Sequence, residues 1–177
     1  TLERAREASV DVDFAEAKRW LAGGPGRKAF GCFPIYCPVE LIHATGMLPV
    51  GIVGGGNQIE IAHADCRFQS FVCSIGKSTL ELGLTDRLKF LSGMVFHSIC
   101  DPARNLASVF ERNFQGMHIE YIHFPQNFVS PSNITYLESE YRRVLNGFEK
   151  VAGRKATAED ISRSIALYNR IRATLRA

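Results

Sequence analysis

Apolar residues along the chain occur in two modes that alternate: short dense runs, and longer stretches with helical spacing. The dense runs at 29–36, 48–53, 68–72, 94–99 and 117–124 read as buried strands. Pro34 argues that the first has an edge position or an irregular end, and Pro125 stops the last. Between them lie helical stretches with clear punctuation. Pro38 suits the first position of a helix over 39–44 that Gly46 stops, and Ser74 can cap a helix over 74–84. Asp101 is a good N-cap with Pro102 at the first helical position, and Leu106, Val109 and Phe110 give that helix its apolar face. A long amphipathic helix over 133–151 carries Tyr136, Leu137, Tyr141, Leu145 and Phe148 and ends at Gly153; Thr157, Glu159 and Asp160 open a last one. Residues 1–21 read as a lead-in helix or pair of helices, terminated at 23–26. Residues 54–57 read as a loop, and 59–62 give only a weak signal.

Strands alternating with helices across short joints predict an α/β fold: a Rossmann/flavodoxin-like parallel sheet flanked by helices, with a helical C-terminal arm. The expected organisation is a helical lead-in at 1–25, an α/β domain at 26–131 and the arm at 132–177. The 177 residues, 46% hydrophobic and 22% charged, suffice for one full core. No apolar run approaches a membrane span and no signal-peptide layout opens the chain, so a cytoplasmic address is expected, with no membrane partner. A scattered net charge of +3 gives no footing for nucleic acid. The last residues, 173–177, read as mid-helix without a stop signal, so the chain is expected to be a fragment.

Five cysteines without a secretory signal favour metal ligation or buried thiols over a disulfide framework. Cys73 and Cys100 each close an apolar run and open a helix, and Cys37 sits at a third such switch. In open parallel sheets ligands gather at the carboxyl ends of the strands, so the thiols of Cys73 and Cys100 can share one thiophilic centre there, given a third ligand. The competing reading is that both are buried packing residues of a metal-free interaction domain. No CxxC pair supports a zinc ribbon or a ferredoxin-type run. Cys32 and Cys66 read as buried thiols, and His97 and His123 as core or edge residues.

Glu40 and His43 lie one turn apart on the predicted 39–44 helix and can face one cleft as a proton-handling pair, though an acid in a first turn is also what the helix dipole selects. Gly76-Lys77-Ser78 ends like a phosphate loop, but the glycine required five residues earlier is Phe71. The glycines at 54–56 do not match the dinucleotide fingerprint.

Three segments, 36–50 (YCPVELIHATGMLPV), 70–80 (SFVCSIGKSTL) and 98–106 (SICDPARNL), resemble in order those of the benzoyl-CoA reductase and 2-hydroxyacyl-CoA dehydratase family. The resemblance is strongest to the active-site subunits of ATP-dependent benzoyl-CoA reductase. It implies that Cys73 and Cys100 bind a [4Fe-4S] cluster, with a third cysteine on a second α/β domain absent from this chain. It further implies a homologous iron–sulfur subunit and a separate ATP-hydrolysing electron activator as partners, and an acyl-CoA or aryl-CoA substrate reduced through a ketyl radical. The alternative within the family is a 2-hydroxyacyl-CoA dehydratase subunit. Glu40 matches the family's acidic motif, but Val39 replaces its first acid; Cys37 is not implied as a ligand.

Overall fold

The computed structural model describes residues 2–127 and 129–176; Thr1 of the lead-in and Ala177 of the last helix lie outside the described residues. Four strands, β1 (Ala29–Cys32), β2 (Leu48–Gly51), β3 (Leu91–His97) and β4 (His118–Ile122), form one parallel sheet in the order β2-β1-β3-β4. The helices are α1 (Leu2–Val10), α2 (Ala15–Ala22), α3 (Val39–Ala44), α4 (Ser74–Leu84), α5 (Asp101–Asn113), α6 (Ser132–Ala152) and α7 (Ala158–Arg176).

Successive strand residues feed opposite faces, which builds a three-layer sandwich. On one face Met94 and Phe96 of β3 pack with Leu80 of α4 and with Leu106 and Phe110 of α5. On the other, Phe30 of β1, Val95 of β3 and Ile122 of β4 pack with Ile42 of α3 and with Val144 and Phe148 of α6. Each fully buried Phe or Leu contributes roughly 1.5–3 kcal/mol of transfer free energy. Of the two helices of the C-terminal arm, α6 thus also roofs the sheet, while α7 packs on α3. No helix among the described residues is long and apolar enough to cross a membrane.

The parallel α/β architecture is the predicted one, with differences in detail. Residues 68–72 are not a strand: they run through bends and a turn in the connection from β2 to α4, and Phe71 is 80% exposed. The run has strand-like composition but pairs with none of the four strands of the sheet. Strand β1 is internal, and Pro34 marks its irregular end instead. The weak signal at 59–62 yields no regular element. Cys100 rather than Asp101 is the N-cap of α5, which moves the end of β3 back to His97.

Candidate functional site

The strand order reverses between β1 and β3. The chain leaves β1 toward β2 on one side and β3 toward β4 on the other, so the two crossovers diverge and open a crevice at the carboxyl edge. Cys73 is the N-cap of α4 and Cys100 the N-cap of α5, and these two helices pack side by side. Neither thiol forms a capping hydrogen bond. The Cys73 sulfur lies over the first turn of α4, 3.8 Å from where a Cβ on Gly76 would sit. Free first-turn amides favour negative charge placed over them.

The other thiols are engaged with backbone carbonyls. Cys32 is buried and reaches Phe30 O at 4.0 Å, Cys37 donates to Phe33 O at 3.4 Å and Cys66 to His63 O at 3.0 Å. A hydrogen bond with Cys37, together with burial, pushes the Cys32 thiol well above its ordinary range, so it stays neutral. Cys66 is exposed, contrary to the buried position expected from sequence, because its short turn (Asp65–Arg67) lies on the surface. Cys73 and Cys100 are exposed as well. Among the described residues no three His, Cys, Asp or Glu side chains converge to hold a metal ion. Cys73 and Cys100 are thus exposed thiols at the starts of two adjacent helices, without a third ligating side chain converging on them among the described residues.

An apolar rim surrounds this edge. Ile35 and Tyr36 after β1, Val53 after β2, Phe71 and Ile75 around the start of α4, and Ile99 after β3 are all exposed. Ile35 and Tyr36 hold φ of 48° and 49°, left-handed backbone that is unfavourable for a β-branched residue. Three contacts fix this turn. The fully buried His97 donates from Nε2 to Pro34 O, and the Tyr36 ring packs edge-on against His97 at 5.9 Å and Phe124 at 6.0 Å. His97 is thus a core residue that holds an edge loop, whereas His123 is exposed. Nothing in the sequence flagged this turn, because the anchoring histidine lies 63 positions from Pro34.

Glu40 and His43 do not open onto a common cleft: both face α7. Arg172 pairs with Glu40, and the His43 Nδ1 and Ser164 Oγ lie 2.7 Å apart. Tyr168 stacks edge-on against His43 at 5.7 Å, and burial, with Cys32 and Glu40 nearby, pushes its hydroxyl up to about 12. Sequence reasoning missed Ser164, Tyr168 and Arg172, whose spacing along α7 matches one face but whose partners lie more than a hundred residues away.

A family model described as 2-hydroxyglutaryl-CoA dehydratase, D-component, matches residues 34–177. A benzoyl-CoA reductase subunit of Thauera aromatica is 42% identical over 168 residues, 95% of this chain and 44% of the relative. The (R)-phenyllactyl-CoA dehydratase beta subunit of Clostridium sporogenes is 34% identical over 144 residues, 81% of this chain and 38% of the relative. The beta subunit of (R)-2-hydroxyglutaryl-CoA dehydratase from Acidaminococcus fermentans is 31% identical over 153 residues, 85% and 40% respectively. The chain therefore spans less than half the length of these curated relatives.

Proposed function

The chain belongs to the 2-hydroxyglutaryl-CoA dehydratase D-component family, and from that premise we propose that it is the α/β part of an iron–sulfur subunit of a benzoyl-CoA reductase-like enzyme. In this reading Cys73 and Cys100 are two ligands of a [4Fe-4S] cluster, and a third cysteine comes from outside the chain. The observation that carries it is the pair of exposed, uncommitted thiols capping two adjacent helices at the sheet's carboxyl edge. A cluster bound there supplies single low-potential electrons and, with three protein thiolates, an iron open to an oxygen ligand.

The chain's own residues do the rest. The first-turn amides of α4 and α5 would stabilise the negative charge of thiolates at Cys73 and Cys100. The apolar rim of Ile35, Tyr36, Phe71 and Ile99 excludes water once a partner surface closes over it. Glu40 and His43 are the proton-handling candidates, and in the present arrangement Arg172 and Ser164 hold them in place. The reaction is one-electron reduction of an aryl-CoA thioester through a ketyl radical, fed by a separate ATP-hydrolysing electron donor and shared with a homologous subunit. The higher identity to the reductase subunit, 42% against 34% and 31% for the two dehydratase subunits, supports reduction over dehydration.

The test is iron and acid-labile sulfide analysis of the full-length protein purified without oxygen, wild type beside Cys73→Ala and Cys100→Ala. Each variant is expected to lose cluster loading; a normal iron content in either removes that cysteine from the ligand set. Parallel assays of benzoyl-CoA reduction and 2-hydroxyacyl-CoA dehydration decide between the two chemistries.

A further inference from the structure

A second feature of the carboxyl edge is a pocket of about 560 Å³ on the β4 side of Cys100. It opens between the ends of β3 and β4 and the starts of α5 and α6. Its polar lining includes Ser98, Arg104, His123, Gln126, Asn127 and Asn133, and no carboxylate is among the lining residues. Arg104 is exposed and enters no ion pair among the described residues. Its amide donates to Cys100 O at 2.9 Å, so it stands one helical turn from the proposed cluster ligand. Two polar atoms in the wall, Ser98 Oγ and Asn133 Nδ2, are buried without a hydrogen-bond partner. Leaving such groups unpaired costs about 1–3 kcal/mol each, a cost that a ligand accepting hydrogen bonds can recover. Glu140, one turn along α6 from Tyr136, does not oppose an anion here. It is already occupied by Arg143 at 2.9 Å and by the His123 amide at 3.1 Å.

An arginine, a histidine, amide and hydroxyl donors, and no acid: this lining matches a multiply charged oxyanion. The volume exceeds what a single phosphate needs. We propose that the pocket is a subsite for a diphosphate group, and that it holds the diphosphate of a coenzyme A thioester so that the acyl end lies along the edge toward Cys100. The second half of this assignment rests on the function proposed above; the first half stands on the pocket alone.

Calorimetric titration of the chain with inorganic pyrophosphate, then with coenzyme A in competition, tests both halves without any cluster. Pyrophosphate is expected to bind and coenzyme A to displace it. Arg104→Gln is expected to weaken both by about tenfold or more, the scale of one lost charge-assisted hydrogen bond pair. Asn133→Asp, which adds a negative charge to the wall, should weaken them similarly, and unchanged melting temperatures would show that both variants are folded. Pyrophosphate binding that is absent, or equal in wild type and Arg104→Gln, overturns the subsite. Binding that depends on Arg104 but resists competition by coenzyme A keeps the anion site and overturns its link to the thioester. Iron content is unaffected by either result, so failure here is separable from failure of the cluster assignment.

Discussion

Among single residues, Glu81 shows how a buried charge can be kept by the fold. Its carboxylate is 2% exposed, yet it accepts hydrogen bonds from the amides of His63 at 2.9 Å and Ala64 at 2.8 Å, and contacts His63 Nδ1 at 2.7 Å. Burial raises its pKa, but the His63 side chain and the two amides together outweigh burial, so the group sits below its ordinary 4.5. A depressed carboxyl stabilises the fold fully above its unfolded value, and that contribution is lost as pH falls through the lowered one. Glu81→Gln is therefore expected to cost about 1–3 kcal/mol at neutral pH and to flatten the loss of stability below pH 4.5. Urea unfolding at a series of pH values checks both; an unchanged acid slope would show that Glu81 carries no linkage. Part of the slope should persist through Glu140, which Arg143 chiefly holds low. The sequence offers little sign of such pairs. Gly147 makes the same point: mid-helix it reads as a weak spot, but a Cβ there would lie 1.9 Å from Glu120 Oε1. The glycine makes room for the carboxylate that Arg143 pairs at 2.9 Å.

Elements were legible where local rules determine them. Thr157 and Asp160 form the reciprocal cap expected before α7, with the Asp160 amide donating to Thr157 Oγ1 at 3.1 Å and the Thr157 amide to Asp160 at 3.1 Å. Pro38, Pro102 and Gly153 likewise mark the helix ends they predict. What local rules do not contain is where an element docks, and two expectations differ from the structure for that reason. Residues 68–72 have strand composition but no partner strand, and α3 turns Glu40 and His43 toward α7 rather than into an open cleft. The α3–α7 seam is testable as a unit. Ser164 is fully buried, so Ser164→Ala should leave His43 without its partner and cost about 1 kcal/mol. Arg172→Ala removes a half-exposed ion pair and should cost under about 1 kcal/mol. Both should speed amide hydrogen exchange across Ala158–Arg176 while leaving β3 protected. Equal protection of α7 in wild type and Ser164→Ala would mean that apolar packing alone holds the helix.

For the molecule as a whole, the carboxyl edge brings exposed apolar groups together with the exposed thiols of Cys73 and Cys100. Scattered exposed hydrophobic residues need no explanation, but six of them gathered around Cys73 and Cys100 mark a face built to be covered. Thiol accessibility converts this arrangement into a measurement. In the isolated chain a neutral alkylating reagent should modify Cys66, Cys73 and Cys100 rapidly, half-buried Cys37 more slowly, and buried Cys32 only on unfolding, since its thiol is also held neutral. If the proposed cluster is bound, mass spectrometry of the full-length protein purified without oxygen should find Cys73 and Cys100 protected and Cys66 still reactive. Cys66 serves as the internal standard because it is an exposed thiol that the proposal does not assign to the cluster. Protection of all three would indicate general burial by a partner, and protection of none would leave the edge open and deprive the cluster of both of its ligands from this chain. Only selective protection of the two N-cap thiols joins the geometry of the edge to the chemistry assigned to it.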